Sequence, residues 1–543
     1  MNPCFCRSCS PRPSPRYLLT LLLIALALPA FAQKVTTSQY DNTRQGANRI
    51  ETILTPRNVS TERFGKLFTL KVDGDVYAQP LFLSGVEIPG KGRHDVLYIA
   101  TEHDSVYAFD ANTPGPPLWQ VSLLQPGSTT VPAGDTSCPF IRPEVGITST
   151  PVIDPTTGTL YVLARTKDRP NILAKATFKQ SLHALAITNG GEKFGGPVEI
   201  KASLPGKGDG SKDGQIMFDA WRENPRAALL LANGLVTLTW GSSCDVGPYH
   251  GWVISYDAHT LLQRAVFNTS PDADDGGIWA SDTGPAADSQ GNIIVATGNG
   301  RFDVDKGGRD YGDSLLKLDA SLKLADYFTP FNADDLDRND ADLGSGGPLL
   351  LPEQPGPHPH LAVVAGKSGT IFLVDRDHMG HYVSQSNSHA VQTVPNRYGV
   401  YAAPAWWNNT LYVLSCGDED AIQTFSLSRG KLTRTATSGD SVAGLCTTPI
   451  ISANGTKEGI LWVLRSKAWN GPDTQAELTA YDAGNINQKL YDSEHNYQRD
   501  RAGQALRFNI PIVVNGHVYI GAKKEIDVYG LLPTPATKSG ANP

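Results

Sequence analysis

GGIWASDTGPAADSQGNIIVATGNG (residues 276–300) and DADLGSGGPLLLPEQPGPHPHLAVVAGKSGTIFLVDR (residues 340–376) are two consecutive copies of one unit. In each, a glycine-rich lead enters a short strand at a proline, Pro285 or Pro348. A turn and a β-branched strand follow, then a glycine beside a polar residue, Asn299 or Lys367. A third strand ends in an apolar residue and an aspartate, Leu318-Asp319 or Val374-Asp375. Such a unit is read first, because a fixed repeat decides the architecture.

The unit recurs on both sides. Its first strand holds a proline at Pro80, Pro151, Pro285, Pro348, Pro404, Pro449 and Pro511, and an eighth copy has Ala227-Ala228 there with a turn at Gly234. Second strands read YIAT, YVLAR, VTLTW, IIVAT, LAVVA, YVLS, WVLR and VYIGA, and third strands include SVYAFDA, SLHALAI, WVISYDA, SLLKLDA, TIFLVDR and ELTAYDA. Eight copies at roughly 45–75 residues each leave room for a four-stranded sheet and its loops. The pattern predicts an all-β, eight-bladed β-propeller of four-stranded antiparallel blades over residues 63–531. The last copy lacks a fourth strand, so residues 66–70 are expected to pair with residues 525–531 and close the ring.

Residues 1–16 carry Arg7, Arg12 and Arg16 and no acid, and an apolar run over residues 18–28 leads to Ala30-Phe31-Ala32. This is the pattern of a signal peptide over residues 1–32, cleaved near Ala32, too short to span a bilayer. A periplasmic or secreted chain is expected, and Cys4, Cys6 and Cys9 fall in the removed segment. Residues 33–62 read as an N-terminal surface extension and residues 532–543 as a flexible tail. The four remaining cysteines suit an oxidising compartment. Their places around the ring predict the disulfides Cys138–Cys244 and Cys416–Cys446. A formal charge of −7 without a basic cluster argues against nucleic acid. No other long apolar run is present, and a soluble monomer is expected.

Propeller geometry puts strand-one leads and strand-two ends on one face. Trp279 and Asp342 join Asn299 and Lys367 there. Glu144, Arg222, Glu223, Tyr401 and Arg507 come from leads, and His103, Arg165, Arg465 and Lys523 from strand-two ends. The result is a polar ring around a funnel, suited to a small-molecule or protein ligand. Elsewhere, Asp303, Asp305, Asp310 and Asp313 read as a solvated turn, His358 and His360 as structural or exposed, and His250 as a hydrogen-bonded turn residue. One ring of Trp406-Trp407 is expected between blades.

The copies resemble the pyrroloquinoline quinone (PQQ) repeat, and residues 276–376 are similar in the order of their features to the quinoprotein alcohol dehydrogenases. The resemblance implies a quinoprotein oxidoreductase acting on an alcohol or sugar hydroxyl, with PQQ and calcium or a lanthanide. Trp279 in GGIW would stack on the quinone, and Lys367 in GKSG would reach its carbonyls. Asn299 in ATGNG, with Asp340 and Asp342 in NDADLG, would hold the ion, and one of the two aspartates would act as catalytic base. These types suit the roles: an indole offers a flat face, and a hard cation takes oxygen ligands. The chain also departs from that family. It has no adjacent cysteine pair, no Cys-x-x-Cys-His haem motif, and Asp245 stands out of step with the family's metal-binding glutamate. Relatives of this repeat include non-catalytic scaffolds, so a ligand- or protein-binding propeller is the alternative.

Overall fold

The computed structural model describes residues 33–533, apart from 170–174, 282, 397, 416–420, 440–446 and 467–473. Eight antiparallel blades form a propeller. Blade 1, for example, runs Leu81–Ile88, Gly92–Ala100, Ser105–Asp110 and Trp119–Ser122 from the inside outward. In blade 8, Ile512–Val514, His517–Ala522 and Glu525–Leu531 are joined by Phe64–Lys71, which pairs antiparallel with Glu525–Leu531. The closing strand extends beyond the expected residues 66–70 at both ends.

The repeat signature has a mechanical explanation. Second strands are buried on both faces, since each blade is sandwiched between two others, and so they read as continuous apolar runs. Leu461 and Val463 face one interblade core while Trp462 and Leu464 face the next. Where a third strand ends in aspartate, that carboxylate accepts backbone N–H groups of the following turn. Asp257 does so from His259 and Thr260 at 3.0 Å each, and Asp110 from Asn112 at 2.9 Å. The carbonyl of the alanine after it accepts a hydrogen bond from a second-strand tyrosine of another blade. Tyr161 reaches Ala258 at 2.6 Å, Tyr412 reaches Ala483 at 2.9 Å and Tyr519 reaches Ala111 at 3.0 Å. These buried phenol–carbonyl bonds join blades 2 to 3, 6 to 7 and 8 to 1. Trp406 and Trp407 are both buried, in different interblade cores.

The segment expected to be a surface extension is not one at its start. Residues 33–48 thread the centre of the ring and bond to the inner strand of every blade. Lys34–Val35 pairs with blade 1, and the Ile153 N–H of blade 2 donates to Thr36 at 2.8 Å. Asn42 Nδ2 donates to Leu231 O of blade 3 at 2.9 Å. The N–H groups of Ala287, Leu350, Trp406 and Ile451 donate to the carbonyls of Asn42, Thr43, Gln45 and Gly46 at 2.7–2.9 Å. In blade 8 the Val513 N–H donates to the Tyr40 hydroxyl at 2.8 Å. Val35, Ser38, Gln39 and Arg44 are fully buried. The physical reason is that inner strands are edges with unpaired backbone groups. The polarity of this segment serves those groups rather than water.

Three smaller expectations also resolve. Asp310 and Asp313 are buried, not part of a solvated turn. Asp310 pairs with Arg301 and accepts from the Asp272 N–H at 2.9 Å, while Asp313 accepts from the Leu343 N–H at 2.8 Å. His358 and His360 bond Asp375 and Asp377. The disulfide Cys138–Cys244 is present, and Cys416 and Cys446 lie outside the described residues.

Candidate functional site

The two central repeats bring their leads together at the ends of the inner strands. Gly298 of the TGN triplet has no room for a side chain. A Cβ there would stand 2.2 Å from Asp342 Oδ1 and 2.6 Å from Trp279 Nε1. The bare backbone lets the Asn299 N–H donate to Asp342 Oδ1 at 2.8 Å, while Asn299 Nδ2 donates to Asp340 Oδ1 at 2.9 Å. The Lys367 backbone N–H donates to Asp342 O at 3.0 Å, and its ammonium bridges both carboxylates, reaching Asp342 Oδ2 at 2.5 Å. Trp279, Asn299, Asp340, Asp342 and Lys367 therefore form one connected cluster.

The two aspartates differ. The Asp342 side chain is 5% exposed and is held by a backbone amide and an ammonium; that of Asp340 is 69% exposed. Burial alone lowers the Lys367 ammonium, but the charges of Asp342 and Asp340 outweigh it and hold the group above the ordinary lysine value. Asn299 Oδ1 is buried with no hydrogen-bond partner. An unpaired buried amide oxygen among carboxylates is the kind of atom a hard cation satisfies. Among the described residues, no group of three or more His, Cys, Asp or Glu side chains has metal-binding geometry.

Trp279 is 5% exposed. Gly241 lies against its six-membered ring, Tyr249 meets it edge-on at 6.0 Å, and the Arg226 guanidinium stands over it at 5.4 Å. The residue that sequence reasoning set aside, Asp245, belongs to this neighbourhood. Its Oδ1 accepts the Tyr249 hydroxyl at 3.0 Å. Burial raises its carboxyl, and Asp342 and Asp340 act on it in the same direction. Cys244 beside it is tied to Cys138, with Cα atoms 5.4 Å apart.

The rest of the expected ring divides into two. Tyr401 is 43% exposed, and His103 Nδ1 bonds Glu144 Oε1 at 2.9 Å. Arg165 and Glu223, expected at the funnel, are instead buried. Asp104, which the sequence did not single out, is buried with neither carboxyl oxygen hydrogen-bonded, and Glu102 has one such oxygen. Burial pushes the Glu102 carboxyl up to about 8, while it lowers the Arg165 guanidinium to about 10.

No family model matches this sequence, and no curated relative does. Solved structures do match in fold. A quinohemoprotein alcohol dehydrogenase from Pseudomonas putida superposes with a TM-score of 0.60 at 14% identity, covering 93% of this chain and 82% of that one. One from Comamonas testosteroni gives 0.57 at 15% identity, again covering 93% and 82%. A europium-containing methanol dehydrogenase gives 0.58 at 12% identity, covering 92% and 98%. The chain thus has the eight-bladed architecture of the quinoprotein alcohol and methanol dehydrogenases. Among the described residues, no helix is long and apolar enough to cross a membrane.

Proposed function

We propose that this protein is an exported quinoprotein-type oxidoreductase that oxidises a hydroxyl group, with the funnel as its active site. The observation that supports this is the convergence of Trp279, Asn299, Asp340, Asp342 and Lys367 from leads and strand ends of two blades, the last four linked by hydrogen bonds and ion pairs and the Trp279 indole set against Gly298. Asn299 Oδ1, with the carboxylates of Asp342 and Asp340, would be the oxygen set offered to calcium or a lanthanide. Lys367 and the Trp279 indole are the groups suited to PQQ. When bound, the quinone supplies a two-electron acceptor.

The chain's own residues divide the remaining work. Asp340 is open to solvent and takes the hydroxyl proton. Asp342, buried and fixed by the Asn299 N–H, holds Lys367 in position. Lys367 keeps its charge through the neutral range, because its two carboxylate partners hold its pKa up. The disulfide from Cys138 fixes the chain at Cys244, beside Asp245.

A second reading is a non-catalytic binding propeller. It is favoured by Lys367 already pairing with both aspartates, and by Arg226 standing over the Trp279 ring. The two separate on one experiment. The mature protein is mixed with PQQ and calcium or a lanthanide and passed through gel filtration. Quinone absorbance that travels with the wild type, and is lost in Trp279→Ala and Lys367→Ala, supports the oxidoreductase. Quinone that elutes entirely apart from the wild type overturns it and leaves the binding module.

A further inference from the structure

Residues 133–143 form a loop that is closed at its foot and spread over four blades at its tip. At the foot, Ser128–Pro132 pairs antiparallel with Glu144–Val145, and the Ala133 N–H donates to Pro143 O at 3.0 Å. The same strand is held to blade 2, with Thr130 opposite Thr166. From there the tip reaches across the ring. Asp135 pairs with Lys167 of blade 2, and its carbonyl accepts the Trp221 indole N–H of blade 3 at 2.8 Å. Phe140 O accepts the Tyr77 hydroxyl of blade 1 at 3.3 Å, and the Phe140 ring centre lies 3.9 Å from the Arg507 guanidinium of blade 8. Ile141 packs with Tyr77, Val131, Val145 and Leu506. One tie is covalent, from Cys138 to Cys244 at the strand-two end of blade 3. Both cysteines are partly exposed.

The loop accounts for the two halves of the funnel. On blades 5 and 6, which it does not touch, Asp340 and Tyr401 are exposed. On blades 1 to 3, Glu102, Asp104, Arg165 and Glu223 are buried. In that half, Asp75 Oδ1, Glu102 Oε1, both oxygens of Asp104, Arg165 Nε and Glu223 Oε2 have no hydrogen-bond partner. The loop and its foot touch the residues around these groups. Glu144 bonds His103, and the Gly146 N–H donates to Glu102 Oε2 at 2.7 Å. A Cβ on Gly146 would stand 2.8 Å from Asp104 Oδ1. Trp221, whose indole the loop holds, accepts Arg165 Nη2 on its carbonyl. Buried polar atoms without partners favour hydration, so they oppose the closed arrangement, and the disulfide opposes them.

We propose that residues 133–143 are a cover latched over the blade 1–3 half of the funnel, and that reduction of Cys138–Cys244 by a dithiol releases it. A thiolate of the dithiol attacks one cysteine sulfur and forms a mixed disulfide, and the second thiol then displaces that cysteine. Two electrons and two protons pass to Cys138 and Cys244, and the dithiol leaves as its own disulfide. The paired foot is the hinge, and the lifted tip opens Glu102, Asp104, Arg165 and Glu223 to water and to a ligand. The cover stands whether the funnel holds a quinone or another molecule.

The test is hydrogen–deuterium exchange of the full mature chain, oxidised and reduced with dithiothreitol, well below its melting temperature and without quinone or metal. Exchange at residues 133–143 and 102–104 should rise by about tenfold or more on reduction, with blades 4–7 unchanged and reoxidation restoring the slow rates. Acrylamide quenching of tryptophan fluorescence should rise in parallel, and Trp221→Phe should remove that rise. The double variant Cys138→Ser, Cys244→Ser should show the released rates without reductant. Asp135→Asn weakens the tie to Lys167, and should speed exchange of the loop in the reduced chain while leaving the oxidised chain as it was. A disulfide that resists dithiothreitol in the folded chain, or loop exchange that reduction leaves unchanged, overturns the proposal. So does a rise spread evenly over all eight blades, which would make the link a general brace.

Discussion

The middle of the ring and the mouth of the funnel are both lined by polar residues, yet they leave different groups unpaired: Ser38 Oγ and Gln39 Nε2 in the middle, and carboxylate, amide and indole atoms at the mouth. In the middle, residues 33–48 give the inner strands their missing partners, and Arg44 donates to Thr37 Oγ1, Ser38 O and Pro285 O at 2.8–3.0 Å. At the mouth, Asn299 Oδ1, Trp279 Nε1, Asp313 Oδ2 and both oxygens of Asp104 are buried without hydrogen bonds. Buried polar groups are normally paired, and clusters of exceptions mark places where a ligand completes the structure. The difference teaches that polarity in a propeller has two uses: closing the backbone, or waiting for a partner.

The comparison breaks first at Arg44. Arg44→Ala should cost about 3–5 kcal/mol in chemical denaturation, since it strands buried acceptors that no water reaches. A variant as stable as the wild type would show that residues 33–48 are a passenger rather than a structural axis. Next in size is the disulfide. Replacing Cys138 and Cys244 by serine opens a link of sequence separation 106, and the typical cost of about 2–4 kcal/mol should appear as a lower denaturation midpoint. It should also loosen Asp245 and the Tyr249 hydroxyl bonded to it.

The third test uses pH. The Glu102 carboxyl is pushed up to about 8 by burial, with the Asp75 charge adding to this against its bonds from Gly146 and Thr148. The folded chain therefore keeps a proton there that the unfolded chain releases. Stability from this group is fully present at acid pH and is lost as pH rises from the ordinary carboxyl range through about 8. Denaturation of the wild type at pH 5 and pH 8 should show that decline. Glu102→Gln keeps an acceptor for Gly146 and Thr148 without the proton, and should recover about 1–3 kcal/mol at pH 8. An unchanged pH slope in Glu102→Gln would mean that this carboxyl is solvated and ionised throughout.

The same contrast explains what the sequence made legible. Blades could be counted because the strand-one proline recurs in seven of the eight copies and an apolar second strand in all of them. Trp279, Asn299, Asp342 and Lys367 could be found because the lead and the strand end are local features of adjacent repeats. Residues 33–48 have no periodicity, since each residue answers a different blade, and so they read as an extension. Arg507 could be placed on the funnel face as a strand-one lead, whereas Arg226 gave no signal, because the Phe508 ring it stands over comes from elsewhere in the chain. Asp340 and Asp342 could not be told apart two residues from one another. Their difference lies in the backbone: Asp340 has φ of 51°, and its side chain is largely exposed where that of Asp342 is buried.

That difference yields the test with the smallest effect on stability and the most specific effect on function. Asp342→Asn removes charge from a buried carboxylate that holds Lys367 and accepts the Asn299 N–H, and should cost about 1–3 kcal/mol. Asp340→Asn alters an exposed partner of the same ammonium, where an ion pair is worth about 0–1 kcal/mol, so the melting curve should barely move. Turnover of a hydroxyl substrate by protein loaded with PQQ and calcium should behave the other way. Asp340→Asn should stop it while leaving the quinone bound, because the proton acceptor is gone and the framework is not. Asp342→Asn should release the quinone and the ion together, because Lys367 and Asn299 lose their common anchor. Equal losses of quinone in both variants would erase the division of labour and return the two carboxylates to a single structural pair.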